Sequence, residues 1–288
     1  MKLPVPGLPD AQIIDCYHQV LEGWPVANQQ RYLMTRAGAT FVVSCGPVNA
    51  PALVLLHGTL SNAASWMFDA ERWSTRYRVH AVDLIGEPGL SAPTRLELND
   101  DAHACWLDDI LDGLGLSEAA FVGLSLGGFL ALDYAIRRPQ RTRALVLISP
   151  SGIGRQRPFL LKAIPYLLLG HWGQERLRRK VMGPNSSAPD PRAQALLRLL
   201  ELIRAQVRPR ALRIPLVSDA QLSTLRMPVL ILLGGRDALL HTIEAAQRVH
   251  AHLPAAQVHF LPEAYHYIPG QRERVLDFLV QASGCRYD

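Results

Sequence analysis

The segment Phe121-Val122-Gly123-Leu124-Ser125-Leu126-Gly127-Gly128 sets one serine between glycines two residues before and two after it. An apolar run precedes it and a helical pattern follows. A strand-to-helix turn that tight accepts only small residues at those two positions, and it lifts the serine hydroxyl above the sheet at a helix N-terminus. Partial positive charge there favours a developing anion. Gly-x-Ser-x-Gly alone is a weak signal. With a strand before it and a helix after it, the reading is a nucleophile elbow carrying Ser125 rather than a chance match in a loop.

A serine needs a base, and the sequence holds ten histidines. His266 follows the last apolar run, in Pro262-Glu263-Ala264-Tyr265-His266-Tyr267, in the loop before the final helix. In a parallel sheet that loop shares the carboxyl edge with Ser125. His259 falls inside a strand, His250 and His252 sit at a helix end, and His171 and His241 have no strand-end position. His57, in Leu56-His57-Gly58-Thr59-Leu60, reads as a hydrogen-bonded structural residue. The base needs a carboxylate to fix its tautomer and stabilise its cation. Asp237, in Leu233-Gly234-Gly235-Arg236-Asp237, lies just past the penultimate strand. Asp83 ends an earlier strand, and Asp108, Asp109 and Asp112 ride a helix where solvated charge is the default. After the strand at 144–148 only Ser149 and Pro150 are on offer.

An acyl-transfer oxyanion needs two backbone donors. Leu126 N–H, next to the nucleophile, is one. The other belongs to the loop after the strand at 52–56, where Gly58 allows a close approach; Thr59 N–H is the first choice and Leu60 the second. The expected chemistry is attack of Ser125 on an acyl carbonyl, proton transfer through His266, and hydrolysis of the acyl-enzyme. It needs no organic cofactor and no metal, and no Cys/His cluster with zinc spacing occurs.

These residues require strands to carry them. Short apolar runs at 52–56, 79–82, 119–123, 144–148, 229–233 and 257–261 read as strands, and residues 31–35 and 40–44 as an antiparallel hairpin. The runs without alternation suit strands buried on both faces. Helical patterns at 10–24 (Asp10 as N-cap), 100–114, 126–138, 241–252 and 271–282 lie between them. The expected class is α/β, a mostly parallel central sheet with helices on both faces. One connection is too long for a single crossover: residues 150–228 separate two strands that a dozen residues could join. The expected organisation is a core of residues 1–151 and 214–288 with a helical lid inserted at 152–213. That lid holds 13 Lys/Arg against 3 Asp/Glu, whereas the rest holds 17 against 22. Its amphipathic run at 191–205 is expected to roof the site with Leu196, Leu199, Leu200 and Ile203, leaving Arg192, Arg198 and Arg204 in water.

Composition narrows the classes further. With 49% hydrophobic and 19% charged residues the chain of 288 is globular, not disordered. The basic cluster lacks interleaved stacking aromatics, so no nucleic-acid partner is expected. No apolar run reaches the roughly 18 residues of a membrane helix. Residues 1–10 lack the apolar stretch of a signal peptide. Cys16, Cys45, Cys105 and Cys285 lie far apart, which suits free thiols in the cytoplasm.

With these residues in view, the chain resembles the α/β-hydrolase superfamily and, more narrowly, bacterial carboxylesterases of the naproxen-esterase type. The order Ser125…Asp237…His266 is the order of that fold. The narrower likeness rests on Trp24-Pro25-Val26, Ser44-Cys45-Gly46-Pro47, Leu55-Leu56-His57-Gly58, Asp83-Leu84-Ile85-Gly86-Glu87-Pro88-Gly89-Leu90-Ser91, Arg138-Pro139-Gln140-Arg141 and Ser218-Asp219-Ala220-Gln221-Leu222. It covers nearly the whole chain outside 152–213. The resemblance implies a carboxylesterase acting on a small-molecule ester. Thioesterases, C–C bond hydrolases and ligand-binding proteins of the same fold share the triad and remain alternatives. The family usually carries glycine before its histidine where this chain has Tyr265, a departure that adds bulk at the site. A serine at the elbow excludes relatives that attack through an aspartate there, the haloalkane dehalogenases and epoxide hydrolases.

Overall fold

The computed structural model describes residues 10–158, 166, 169–184, 190–207 and 213–284. Residues 1–9, Cys285, the side chain of His171 and the remainder of the expected lid lie outside them. The strands are β1 (Asn28–Thr35), β2 (Gly38–Cys45), β3 (Ala52–Leu56), β4 (Arg78–Val82), β5 (Ala119–Leu124), β6 (Thr142–Ile148), β7 (Val229–Gly234) and β8 (Gln257–Leu261). They form one sheet in the order β1-β2-β4-β3-β5-β6-β7-β8. β1 and β2 are an antiparallel hairpin joined by Arg36-Ala37, and β2 is antiparallel to β4. All pairs from β4 through β8 are parallel. Every βα loop from β3 to β8 therefore opens on one edge, where Ser125, Asp237 and His266 sit.

The helices are α1 (Ala11–Glu22), α2 (Met67–Trp73), α3 (Ala102–Gly113), α4 (Leu126–Arg137), α5 (Gly170–Met182), α6 (Pro191–Gln206), α7 (Asp219–Leu222), α8 (Thr242–His252) and α9 (Arg272–Ala282). Asp10 caps α1 by accepting Gln12 N–H at 3.3 Å. Central strands that read as unbroken apolar runs alternate between two cores, because successive side chains leave a strand on opposite faces. Val54, Leu56, Phe121, Leu145, Leu147, Ile231 and Leu233 pack with α3, α4 and α8. Leu53, Leu55, Val122, Val146, Leu230 and Leu232 pack on the other face with α1, α2 and α9.

Three elements differ from the sequence reading. The hairpin begins three residues earlier, at Asn28; its polar start Asn28-Gln29-Gln30 carries no apolar signal because it runs along the sheet edge. Helix α2 is missing from the reading, although Trp66, Met67, Ala70 and Trp73 are buried at helical spacing. The single turn α7 is opened by a capping box in which Ser218 and Gln221 exchange side-chain-to-backbone bonds.

Between β6 and β7 the chain makes α5 and α6. Asp190 caps α6, accepting Arg192 N–H at 2.8 Å, with Pro191 in the first turn. The apolar face of α6 differs from expectation: Leu199 and Ile203 are wholly buried in the core that holds α1, and Gln206 Nε2 donates to Gln12 Oε1 at 2.9 Å. Leu199 and Ile203 are one turn apart, so they face α1 together, while Leu196 alone of the expected four lines the cavity beside the elbow. Arg192 is ion-paired with Asp190 rather than merely solvated. The two stems of the insertion meet where Val217 N–H donates to Gly152 O at 2.8 Å. Arg248 holds both, donating to the carbonyls of Ile153 and Val217.

Candidate active site

The elbow is built from close backbone approach. A Cβ at Gly123 would collide with Gly127 O, and one at Gly127 with the carbonyls of Leu56 and His57. These contacts leave Ser125 at φ 53° and ψ −109°, a sparsely populated positive-φ conformation that costs an L-residue on the order of 1–3 kcal/mol. Neighbouring segments hold it there. Ser125 N–H donates to Ile148 O at 3.0 Å, Ser151 N–H to Ser125 O at 3.2 Å, and Gly127 N–H to His57 O at 3.1 Å.

Asp237 and His266 are brought together by the loops after β7 and β8. Gly234 lies where any Cβ would strike Tyr265 O. Gly235 N–H donates to Leu261 O at 2.8 Å and Arg236 N–H to Ala264 O at 2.9 Å, so the two loops share hydrogen bonds along their length. His266 Nδ1 then stands 2.7 Å from Asp237 Oδ2. The other carboxylate oxygen accepts Leu239 N–H at 2.7 Å and Leu240 N–H at 3.0 Å. The Asp237 side chain is fully enclosed and that of His266 is 9% exposed. A carboxylate can only accept from the ring, so the proton sits on Nδ1 and Nε2 presents a lone pair. Among the described residues no hydrogen bond joins Ser125 Oγ to the ring. Tyr265 turns its bulk elsewhere, packing on Gly183 just past α5, where a Cβ would lie 2.8 Å from its Cδ2. The insertion also touches His266 directly, through its N–H donating to Val181 O at 3.1 Å.

The loop after β3 passes beside the elbow, and a Cβ at Gly58 would lie 3.5 Å from Ser125 Cβ. Thr59 N–H and Leu126 N–H have no hydrogen-bond partner among the described residues. Leu60, the second choice of donor, is withdrawn: its N–H donates to Glu87 Oε2 at 2.8 Å. Glu87 escaped the sequence reading. Its one signal was an acid inside the turn Gly86-Glu87-Pro88-Gly89, and nothing local shows that the turn folds against residue 60. A cavity lined by Trp66, Phe68, Leu124, Ile148, Leu196 and Tyr267 opens next to the elbow. Among the described residues no three His, Cys, Asp or Glu side chains gather to hold a metal.

Other acids and histidines weighed from the sequence have structural partners. Asp83 is buried and accepts Tyr17 OH at 2.8 Å, Ala63 N–H at 2.7 Å and Leu90 N–H at 2.7 Å. Asp108 is not simply solvated, since it accepts from Tyr134, Arg138 and Arg141. His57 has both nitrogens engaged: Nδ1 meets Gly58 O at 2.7 Å and Nε2 accepts Leu84 N–H at 2.9 Å. Burial pushes its pKa down to about 4. His80, enclosed beside Ser44, is pushed down to about 3 by burial and by Arg78 and Arg31. In the unfolded chain both return to about 6.5. A depressed folded pKa means that the unfolded state binds protons first on acidification. The stability these neutral rings permit is thus complete above pH about 6.5 and is lost as pH falls towards 4 and 3. The loss from His57 approaches about 3 kcal/mol. Half-buried Asp69 and buried Asp83, each pushed up to about 6 by desolvation, act in the opposite sense, so the imidazole contribution is read by difference. The urea midpoint of the parent relative to that of His80→Asn is expected to fall from pH 7 to pH 4, and a constant difference would contradict it.

Comparison with known proteins gives the family. Residues 53–278 match the alpha/beta hydrolase family. The chain is 31% identical over 272 residues to carboxylesterase YbfK of Bacillus subtilis, covering 91% of this chain and 92% of that protein. It is 30% identical over 293 residues to the uncharacterized carboxylesterase nap of the same organism, covering 97% of each. The crystal structure of naproxen esterase (carboxylesterase NP) from Bacillus subtilis superposes with a TM-score of 0.78 at 29% identity, covering 92% of this chain and 96% of that one. With its eight-stranded, mostly parallel sheet, its strand-end loops and this likeness across nearly all its length, the chain belongs to the alpha/beta hydrolase family.

Proposed function

We propose that this hydrolase is a serine carboxylesterase, with Ser125 as nucleophile, His266 as general base, Asp237 as its orienting carboxylate, and Thr59 and Leu126 N–H as the oxyanion hole. One observation carries the reading: the 2.7 Å Asp237–His266 bond, which leaves Nε2 as a lone pair on the sheet edge that carries the strained Ser125. Hydroxyl, imidazole and enclosed carboxylate in that order make an acyl-transfer machine. In the first step Ser125 Oγ bonds to the ester carbonyl carbon and its proton passes to His266 Nε2. The carbonyl π pair moves to oxygen, where the two free amides meet the new charge. The pair then returns, the C–O bond to the alcohol breaks, and His266 gives its proton to the leaving alkoxide. Water attacks the acyl-serine by the same route and restores the serine.

The names of the relatives, YbfK and nap as carboxylesterases, support an ester as the bond cleaved. The insertion at 152–213 serves as a lid over this core: Leu196 lines the cavity beside the elbow and Val181 O holds the base loop. The free thiols Cys16, Cys45 and Cys105 fit a reducing cytoplasm. The test is one screen of p-nitrophenyl esters, acyl-CoA thioesters and 1,3-diketones at high substrate excess. Many turnovers on esters, with much lower kcat/KM on the other two, are expected. A preference for thioesters or diketones would reassign the bond cleaved, and binding with no turnover on any of them would reject the enzyme.

A further inference from the structure

We propose that Glu87 is a positioning residue for the oxyanion hole, acting through Leu60 on Thr59; this rests on the serine-esterase reading above. Leu60 is the residue after the Thr59 donor, and it sits at φ 55°, a left-handed conformation that a γ-branched side chain does not favour. Something must hold it there, and the buried Glu87 does. Its Oε2 accepts Leu60 N–H at 2.8 Å, and the residue is 6% exposed. With the Leu60 amide turned to Glu87, the Thr59 amide is left unpartnered among the described residues. The same side chain, together with Leu126 and Leu130, lines a small cavity at the start of α4. Glu87 thus bonds one half of the proposed hole, the loop after β3, and shares a cavity wall with the first residue after the elbow.

Its own turn is rigid. Gly86 stands at φ 72° with its N–H on Ala92 O at 2.9 Å, and Gly89 N–H donates to Glu87 O at 2.9 Å. Three further bonds tie this turn, or the residues just before it, to the loop that follows β3. Leu84 N–H donates to His57 Nε2 at 2.9 Å, and Asn62 Nδ2 to Pro88 O at 3.1 Å. Ala63 N–H donates to Asp83 Oδ1 at 2.7 Å. The Glu87 bond is the one of these nearest the Thr59 amide in sequence. It is also the one that ends on the strained residue.

A carboxylate so close to a developing oxyanion opposes its charge, so the useful property of Glu87 is its acceptor oxygen, not its ionisation. That separates positioning from simple loop packing. Glu87→Leu keeps bulk and removes the acceptor; Glu87→Gln keeps both and removes the charge. In the full-length enzyme, Glu87→Leu is expected to lower kcat on a p-nitrophenyl ester about 10- to 100-fold with KM nearly unchanged, a part of the ~10²–10³ seen when an oxyanion donor is lost. Affinity for a trifluoromethyl ketone, which mimics the tetrahedral adduct, should fall by the same factor. Glu87→Gln should restore both. If Glu87→Leu does not fold, Glu87→Asp, which withdraws the acceptor by one methylene, is expected to show the same paired loss in smaller degree. The inference is overturned if a folded Leu or Asp variant keeps wild-type kcat, if kcat falls while ketone affinity holds, or if Gln is as damaging as Leu. Wild-type turnover that survives Ser125→Ala would instead sink the esterase reading itself, so the two failures are distinguishable.

Discussion

Ser125→Ala is expected to abolish labelling by a fluorophosphonate probe and to lower kcat on the best ester by on the order of 10⁶-fold. The argument is structural as well as chemical. The elbow geometry comes from backbone contacts at Gly123 and Gly127, so the alanine variant should keep the fold and lose only the hydroxyl. Its melting temperature should stay at or slightly above that of the parent, because alanine in this position leaves no hydroxyl to satisfy. His266→Ala should lose turnover on a similar scale, and the double variant should be little worse than either single one, since the groups act as a unit. Intact labelling in Ser125→Ala would move the nucleophile elsewhere, and additive losses in the double variant would argue that serine and histidine serve separate steps.

The second large effect belongs to Asp237→Asn. The substitution is isosteric, and the Leu239 and Leu240 amides can still donate to the retained carbonyl oxygen. What changes is the partner of His266. An amide nitrogen turned towards the ring donates, which drives the ring proton from Nδ1 to Nε2 and removes the lone pair that serine needs. A loss of about 10⁴ in kcat follows, with KM barely altered. The variant should regain part of its activity at high pH, where hydroxide substitutes for the missing base in deacylation. Mass spectrometry after fluorophosphonate treatment supplies the check: labelling of Ser125 should slow by a comparable factor. Labelling at the wild-type rate would mean that Asp237 does not control the tautomer.

The residues of the proposed site were legible because each carries a local signature. Ser125 lies between glycines whose absence of Cβ the turn demands, and Asp237 and His266 each follow an apolar run that had to be a strand. Once those runs are parallel, their ends share an edge, and the order of the proposed triad needs nothing more than the chain. His57 was legible as structural for the same reason: at a strand end without a carboxylate beside it, its nitrogens find backbone partners. Two strands were readable to their ends: β3, inside the sheet, and β8, at its edge, are bounded by the same residues in the sequence reading and in the fold.

Other features depend on what packs against what, and no local pattern encodes that. The amphipathic face of α6 announces that Leu199 and Ile203 will be buried, but hydrophobic burial is non-directional, so periodicity cannot say whether they cover a substrate or α1. Leu60 and Thr59 look equivalent as amide donors in Gly58-Thr59-Leu60. Only the arrival of Glu87, 27 residues away in sequence, takes one of them out of play. Tyr265 reads as bulk beside the base until Gly183, at the end of α5, provides the space that accepts its ring. The sequence by itself determined which atoms could do the chemistry and which sheet edge would carry them, because strand period and turn sterics act over a few residues. The tertiary structure decided which amides stay free and where the insertion rests, because those outcomes turn on hydrogen bonds and contacts between segments that meet only when the chain has folded.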